Sequence, residues 1–501
     1  MISRLLGFLR DVLLAAILGA GPVADAFFVA FKLPNFFRRL FAEGAFNAAF
    51  VPLFSGLLSR RGPVAAKIFA GEALSVLLWA LLVLVVSMQL AMPWVMLGLA
   101  PGFAKDPAKF DLAVQFTRAT FPYLLFISLV SLFSGVLNAM GRFAAAAATP
   151  ILLNICLIGA LLGLARLTPT PGHALAWGVA VAGVVQFLWL VTACHRAGIL
   201  PRLPRPRLTP GVRRLLRIML PAALGAGVVQ LNLLIDIIIA SLLPSGSVSF
   251  LYYANRINQL PLGVIGVALG TALLPLLSRQ LTAGDTAGAQ DSQSRAVEFC
   301  LLLTIPAAAA LVVAAHPIVD GLFGRGAFTP DVVSRTAWAL AAYALGLPAY
   351  VLVKVLVPGY YARGDTATPV KYAVVALFVN LALNLALMIP LAHVGIALAT
   401  AISAWVNAGL LAWGLSRRGM FDFDTRLQQR LLRILAASAV MAVALELAVV
   451  GLADAFAGGE VTRATALAAL VVGGLSVFAL AAHLLGATNL TEFPRKLRRR
   501  G

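Results

Sequence analysis

Apolar residues run along this chain in blocks of about 20 or more, broken by short stretches rich in Gly, Pro, Arg and Asp. A helix needs about 20 apolar residues to cross a bilayer, so the blocks read as membrane spans. The pattern separates fourteen of them: 1–19, 26–58, 66–99, 113–141, 147–166, 174–195, 213–243, 250–279, 294–316, 332–361, 369–390, 393–416, 429–450 and 463–486. The second, third, fourth, seventh, eighth and tenth are long, and tilt or breakage is expected in them. Pro34, Pro122, Pro261, Pro348 and Pro358 are the expected break points, because proline removes a backbone donor and crowds the preceding turn. The first span begins with almost no lead-in, so an upstream start codon is expected. It lacks a basic leader and a small-residue cleavage site, and therefore reads as a retained helix rather than a cleaved signal.

The blocks partly repeat. AFNAAFVPLFSGLLSR at 45–60 is echoed by ALGTALLPLLSR at 268–279, with Pro52 matching Pro275 and Ser55 matching Ser278. Upstream, Phe27-Phe28…Lys32…Asn35 parallels Phe250-Leu251…Asn255…Asn258, and Thr149-Pro150 parallels Thr368-Pro369. The offset is about 220 residues, an even number of spans, so both halves are expected to have one orientation in the membrane. The expected architecture is an all-α polytopic membrane protein of about 14 transmembrane helices. Two six-helix lobes (1–196 and 213–416) would surround a central cavity, joined by a basic linker at 197–212. A second linker at 417–428, two extra helices at 429–486 and a basic tail at 487–501 complete the chain.

Composition strengthens this picture. Hydrophobic residues make up 61% of 501 and charged residues only 12%, against roughly a quarter in soluble domains; the mean hydropathy is +0.95. The net charge of +20 could suggest a nucleic-acid partner, but Lys and Arg gather in alternate loops and in the tail. Under the positive-inside rule that bias places both termini in the cytoplasm and leaves nucleic acid out of the reading. Cys156, Cys194 and Cys300 have no metal-like spacing and read as packing residues. The five histidines lie mainly near span ends, and no Walker loop, H-E-x-x-H or Ser-His-Asp grouping is present.

The informative charges lie inside the spans. Arg4, Arg10, Lys32, Arg38, Arg39, Arg256 and Lys354 face only Asp11, Asp25, Glu43 and Asp236 among intramembrane acids. Ser3 and Arg10 are seven apart, as are Arg4 and Asp11, so each pair shares a helix face; Asp25, Lys32, Asn35, Arg39 and Glu43 form a polar stripe on the second span. Some of these ions pair with one another, Arg10 with Asp11 or Asp25 and Arg39 with Glu43. About three positive charges are left over, and a buried unpaired charge costs several kcal/mol, so water or an anionic ligand must reach them. Arginine's planar fork suits phosphate. A second group, Asp236, Asn380, Asn384 and Thr400, carries hard oxygen ligands suited to a small cation; hydrogen bonding between helices explains it equally well.

The run SRLLGFLRD (3–11), followed by DAFFVAFKLPNFFRRLFAEGAF (25–46), closely resembles the MurJ/MviN family of lipid II flippases in the multidrug/oligosaccharidyl-lipid/polysaccharide exporter superfamily. YYANR (252–256), GVALGTALLP (266–275) and VKVLVPGYYARGDTATP (353–369) extend the resemblance over essentially the whole chain. It implies fourteen helices in two lobes plus two. It also implies export of undecaprenyl-pyrophosphate disaccharide-pentapeptide from the cytoplasmic to the periplasmic leaflet by alternating access. The family's cavity arginines fall on Arg4, Arg10, Arg38 and Arg256, with Ser3, Asp11, Asp25, Lys32, Asn35, Arg39 and Glu43 at further motif positions. A sodium site described for some members would fall on Asp236, Asn380, Asn384, Thr400 and the Ile396 carbonyl. Its second carboxylate is an amide here, Asn384, and the acid often preceding the Arg256 position is Asn255.

The expected protein is thus a transporter of the inner membrane, not an enzyme, monomeric, with lipid II as partner and possible contacts to cell-wall synthesis proteins. It needs no cofactor beyond Na⁺ or the membrane potential as driving force. A cation-coupled exporter of another polysaccharide-lipid or of drugs is the first alternative, but its chamber should be acidic or aromatic. A membrane glycosyl-chain polymerase is the second, but it would need a carboxylate base on a large outside loop.

Overall fold

The computed structural model describes residues 2–39 and 46–488, apart from the side chains of 222–231, 233, 264, 267–269 and 271. Glu43 and tail residues 489–501 lie outside the described residues. Among those described, the secondary structure is helical. The chain divides into two compact units, 1–249 with 326–328 and 250–325 with 329–501.

The first unit contains α1 (Ile2–Leu18), α2 (Pro22–Phe37), α3 (Asn47–Leu99), α4 (Pro107–Thr120), α5 (Tyr123–Ala139), α6 (Phe143–Gly159), α7 (Pro171–Arg196) and α8 (Pro210–Ser241). Its core is aromatic, with Phe27, Phe28, Phe50, Phe54, Phe116, Phe121 and Tyr123 almost fully enclosed. The sequence pattern puts a lobe boundary at 197–212, whereas packing groups α8 with the first unit. Thr209 donates to Glu72 at 2.7 Å, and Ser75 donates to the Pro204 carbonyl at 2.7 Å. Gly102 lies so close to Ser241 that a Cβ there would sit 2.0 Å from its carbonyl oxygen.

The second unit takes most of α9 (Ser247–Thr282), then α10 (Thr286–Val313), α11 (Ala315–Phe323), α12 (Pro330–Ala344), α13 (Leu347–Tyr361), α14 (Ala367–Arg417), α15 (Thr425–Gly451), α16 (Ala453–Ala457) and α17 (Glu460–Leu484). The helices beyond 429 are held at both ends. Buried Glu298 on α10 accepts from Arg295 and from Arg430 on α15, and Arg426 stands 3.5 Å away. At the opposite end, Arg463 of α17 donates to the Gly324 carbonyl at 2.8 Å and reaches Asp320 at 3.4 Å.

Nine helical segments among the described residues are long and apolar enough to cross a membrane. Two of these, α3 with 53 residues and α14 with 51, would each be about 80 Å long if straight, far beyond one hydrocarbon core. Each is bent into two arms, at Gly62 (φ 77°) and at Ala392 (φ 47°). The second bend falls between the expected spans 369–390 and 393–416.

The proline expectations need correction. Helices do break where Pro122 caps α5 and where Pro348 enters the first turn of α13. Pro34, Pro261 and Pro358 instead lie within continuous α2, α9 and α13. Each removes one donor, but the surrounding turns keep their hydrogen bonds, so the axis can bend without ending.

The repeat is visible in the turns. Gly62 and Gly284, Gly141 and Gly364, and Gly198 and Gly419 all have φ between 63° and 77°, each pair about 220 residues apart. All six lie in turns where the charge bias predicts the cytoplasmic side. A left-handed residue ends a helix tightly, and only glycine takes that conformation without a Cβ penalty.

Candidate functional site

In α1, Arg10 is buried and directed by two neighbours. Its Nε and Nη2 donate to Asp11 Oδ1 at 3.1 and 2.7 Å, while Nη1 donates to Asn154 Oδ1 on α6 at 2.9 Å. Asn154 Nδ2 in turn donates to the Ser3 carbonyl at 3.1 Å. The amide therefore ties both ends of the Ser3–Arg10 stretch to α6 and fixes the guanidinium plane. Arg4 differs: it is exposed and has no side-chain hydrogen bond or ion pair among the described residues. A cation of this kind on an apolar helix is placed to meet water or an anion.

On α2, Asn35 donates to the Phe31 carbonyl at 2.7 Å and accepts from Arg38 Nε at 3.2 Å. Arg38 and Arg39 have π-helical backbone, with Lys32 half-buried earlier on the same helix. Lys32, Arg38 and Arg39 all have partners, so this stripe is a network rather than a row of bare charges. The expected Arg39–Glu43 pair falls on Glu43, outside the described residues.

Asp25 lies elsewhere on the same helix, 1% exposed. Lys109 Nζ donates to its Oδ2 at 2.7 Å, as does the Gly246 N–H at 2.7 Å; its Oδ1 accepts from the Ser249 N–H at 2.9 Å and hydroxyl at 2.6 Å. Lys109 also donates to Ser245 Oγ at 2.9 Å and lies over the Phe103 ring. The carboxylate thus anchors the 244–249 segment, which runs from the preceding turn into the first residues of α9. Sequence reasoning missed Lys109, which reads as an outside-loop charge, and Asn154, whose only signal is a lone amide in the fifth span.

In the second unit, Arg256 and Asn255 are half-buried on α9 and Asn258 is buried. Lys354 of α13 lies along α9: a Cβ at Gly266 would come within 3.0 Å of its Cδ. That glycine makes room for the lysine stem while the side chain stays exposed.

The second constellation is assembled in part. Asn384 donates to Asn380 Oδ1 at 2.9 Å, Asn380 reaches Thr400 Oγ1 at 3.5 Å, and Thr400 donates to the Ile396 carbonyl at 2.9 Å. This chain of donors joins the two arms of α14, with both asparagines fully buried. Asp236 belongs to the first unit and is half-buried. No group of three or more His, Cys, Asp or Glu that could hold a metal exists among the described residues. Of the three bonds along α14, the one from Asn380 to Thr400 crosses between its arms, as hydrogen bonds between packed membrane helices do.

Outside the spans, the Asp365 carboxyl is held well below the usual carboxylate range. The causes are hydrogen bonds from the Thr368 hydroxyl, from Arg418 and from the Thr368 N–H. The contact joins the two ends of α14 across the turn that follows α13: Arg418 Nη1 to Asp365 Oδ2 measures 2.7 Å.

The described residues form an all-helical, polytopic membrane protein with basic residues set into apolar helices, an architecture that membrane transporters use. Comparison with known proteins gives the family. Residues 14–465 match the family described as "Lipid II flippase MurJ". The chain is 47% identical to the "Probable lipid II flippase MurJ" of Rhizobium meliloti (strain 1021), covering 99% of this chain and 94% of the relative. It is 40% identical to the "Lipid II flippase MurJ" of Burkholderia cenocepacia, covering 84% and 83%. The chain belongs to the MurJ family of lipid II flippases and is a protein of the inner membrane. Among solved structures, "Lipid II flippase MurJ, inward closed conformation" shares the fold at TM-score 0.80 and 24% identity, covering 96% of both chains. An inward-facing multidrug MATE transporter shares it at TM-score 0.68 and 15% identity, covering 83% of this chain and 94% of that one.

Proposed function

We propose that this protein moves lipid II, the undecaprenyl-pyrophosphate disaccharide-pentapeptide, from the cytoplasmic to the periplasmic leaflet by alternating access, with both termini cytoplasmic. Family membership gives the substrate class. The observation in the chain that best supports it is Arg4, an exposed cation with no side-chain hydrogen bond or ion pair among the described residues, on the same helix as Arg10, whose guanidinium is held in place by Asn154. A diphosphate carries the charge and the oxygen spacing that arginine forks bind. Arg256 on α9 is the matching candidate in the second unit. The lipid tail remains in the bilayer and needs no polar site.

The membrane potential supplies the driving force in this reading. A net-positive empty carrier is drawn back towards the negative cytoplasm, and one charge crossing 100 mV is worth about 2.3 kcal/mol. The decisive experiment reconstitutes the chain in vesicles with labelled lipid II and measures leaflet-specific flipping. Arg4→Ala, Arg10→Ala and Arg256→Ala should each abolish it at normal reconstitution levels. Full activity in all three would overturn the anion-site reading.

A further inference from the structure

A cavity of about 870 Å³ opens in the first unit between the end of α5, the start of α6 and the last turns of α7. Its origin is legible in sequence. The first turns of α6 read Phe-Ala-Ala-Ala-Ala-Ala-Thr-Pro (143–150), and methyl groups leave a gap where larger side chains would pack against α7. The gap does not collapse because two α7 side chains pin α6. Trp189 Nε1 donates to the Ala145 carbonyl at 3.1 Å, and Gln186 donates to the Thr149 carbonyl at 2.7 Å. The Thr149 hydroxyl takes the Ala146 carbonyl, whose usual donor is missing because residue 150 is proline.

The walls are apolar, including Leu137, Leu152, Leu188 and the Trp189 ring, while Arg142 and Arg196 stand at the rim. Both arginines are exposed, and neither has a side-chain hydrogen bond or ion pair among the described residues. Arg142 follows the Gly141 turn that closes α5, and Arg196 ends α7 just before the basic linker. Both therefore stand where helices leave the membrane. A hydrocarbon-lined cleft of this size, rimmed by two exposed guanidiniums, fits a ligand with an acyl chain and a phosphate at one end. Basic pockets between membrane helices hold anionic lipid headgroups in this manner.

We propose that this cleft is a binding site for an anionic diacyl phospholipid of the phosphatidylglycerol class. Its phosphate lies between Arg142 and Arg196, and one acyl chain lies against Leu137, Leu152 and Leu188. The occupant is a resident of the bilayer rather than the transported lipid, because none of the α1 and α2 bases lines the cleft. The inference requires only that the chain is membrane-embedded.

Trp189 provides the readout. The full chain is reconstituted, without lipid II, in vesicles containing dibrominated phosphatidylglycerol or dibrominated phosphatidylcholine of identical chains. The fluorescence difference between wild type and Trp189→Phe isolates the Trp189 signal. Quenching of that signal should be at least twofold stronger with the glycerol headgroup. Arg142→Gln/Arg196→Gln should remove the preference, and Arg142→Lys/Arg196→Lys should keep part of it. Equal quenching by both lipids in wild type marks a merely apolar contact and overturns the proposal, as does a preference that survives the glutamine pair. Since lipid II is absent, a failure of the transport reading would leave this result unaffected.

Discussion

Lys109 on α4 and Asp25 on α2 form a buried ion pair, Nζ to Oδ2 2.7 Å, that also holds the 244–249 segment through Ser245, Gly246 and Ser249. Removing one member leaves the other charged and enclosed, a loss of about 3–5 kcal/mol in comparable pairs. Lys109→Met should therefore lower the thermal unfolding midpoint in detergent by several degrees. Asp25→Asn/Lys109→Met should recover part of that loss, so a double-mutant cycle reads the coupling. Independent, additive effects would show that the pair is incidental.

Asn154 directs Arg10 and holds the Ser3 carbonyl. Asn154→Leu removes both bonds without touching a charge. Flipping should fall by about tenfold or more, since losing one partner of a buried charge-assisted bond costs about 1.5–3 kcal/mol and 1.36 kcal/mol is a factor of ten. Asn154→Gln should do little better, because the longer amide misplaces both contacts. A variant with normal rates would confine Asn154 to packing.

Gly266 gives space to the stem of Lys354. Gly266→Val places branched methyls where a Cβ already comes within 3.0 Å of Lys354 Cδ, so the lysine must change rotamer. Transport assays of Gly266→Val and Lys354→Met should show similar losses, and the combined variant should be no worse than either. Additive losses would separate the two positions.

Asp365 gives a pH prediction. Its folded carboxyl lies below the ordinary value of about 3.9, so its contribution to stability is fully present above that value. It is lost only as pH falls through the lower folded value. The difference in unfolding midpoint between wild type and Asp365→Asn should stay constant from pH 8 to about pH 5 and narrow only in stronger acid. A difference that closes near neutral pH would rule out Asp365 as the titrating group.

Glu298 links α10 to α15 through Arg295 and Arg430. Glu298→Gln should expose the 418–424 connection to limited proteolysis while leaving the bonds within α14 intact. Unchanged cleavage would show that the α15 and α17 helices dock by apolar packing alone.

Much of the fold is legible in the sequence because a bilayer imposes one strong rule, a run of apolar residues about 20 long for every crossing. Hydropathy alone separated 369–390 from 393–416 inside a single 51-residue helix, and the turn at Ala392 falls between them. The repeat was readable from Pro52 and Pro275, and the left-handed glycines carry it into the turns. Proline marks helix breaks less faithfully, because residue identity gives the missing donor but not whether neighbouring turns compensate.

The site was legible in its residue types and less so in its pairings. Arg4, Arg10 and Asn380/Asn384 announce themselves as polar groups in apolar helices, and Asp11 next to Arg10 is a pairing that adjacency suggests. That Asp25 is matched by Lys109, 84 positions away, has no local signature. The same holds for Asn154 and for the union of α8 with the first unit.

By itself, the sequence determined an all-helical membrane protein, its spans, its internal repeat, an excess of embedded positive charge and its family. Those properties depend on local composition, on which the solvent acts directly. The tertiary structure decided which charges neutralise each other, which exposed cations have no side-chain partner among the described residues, and where alanines leave an opening between helices. These depend on which side chains the packing brings within a few ångströms of one another, and distance along the chain does not fix that.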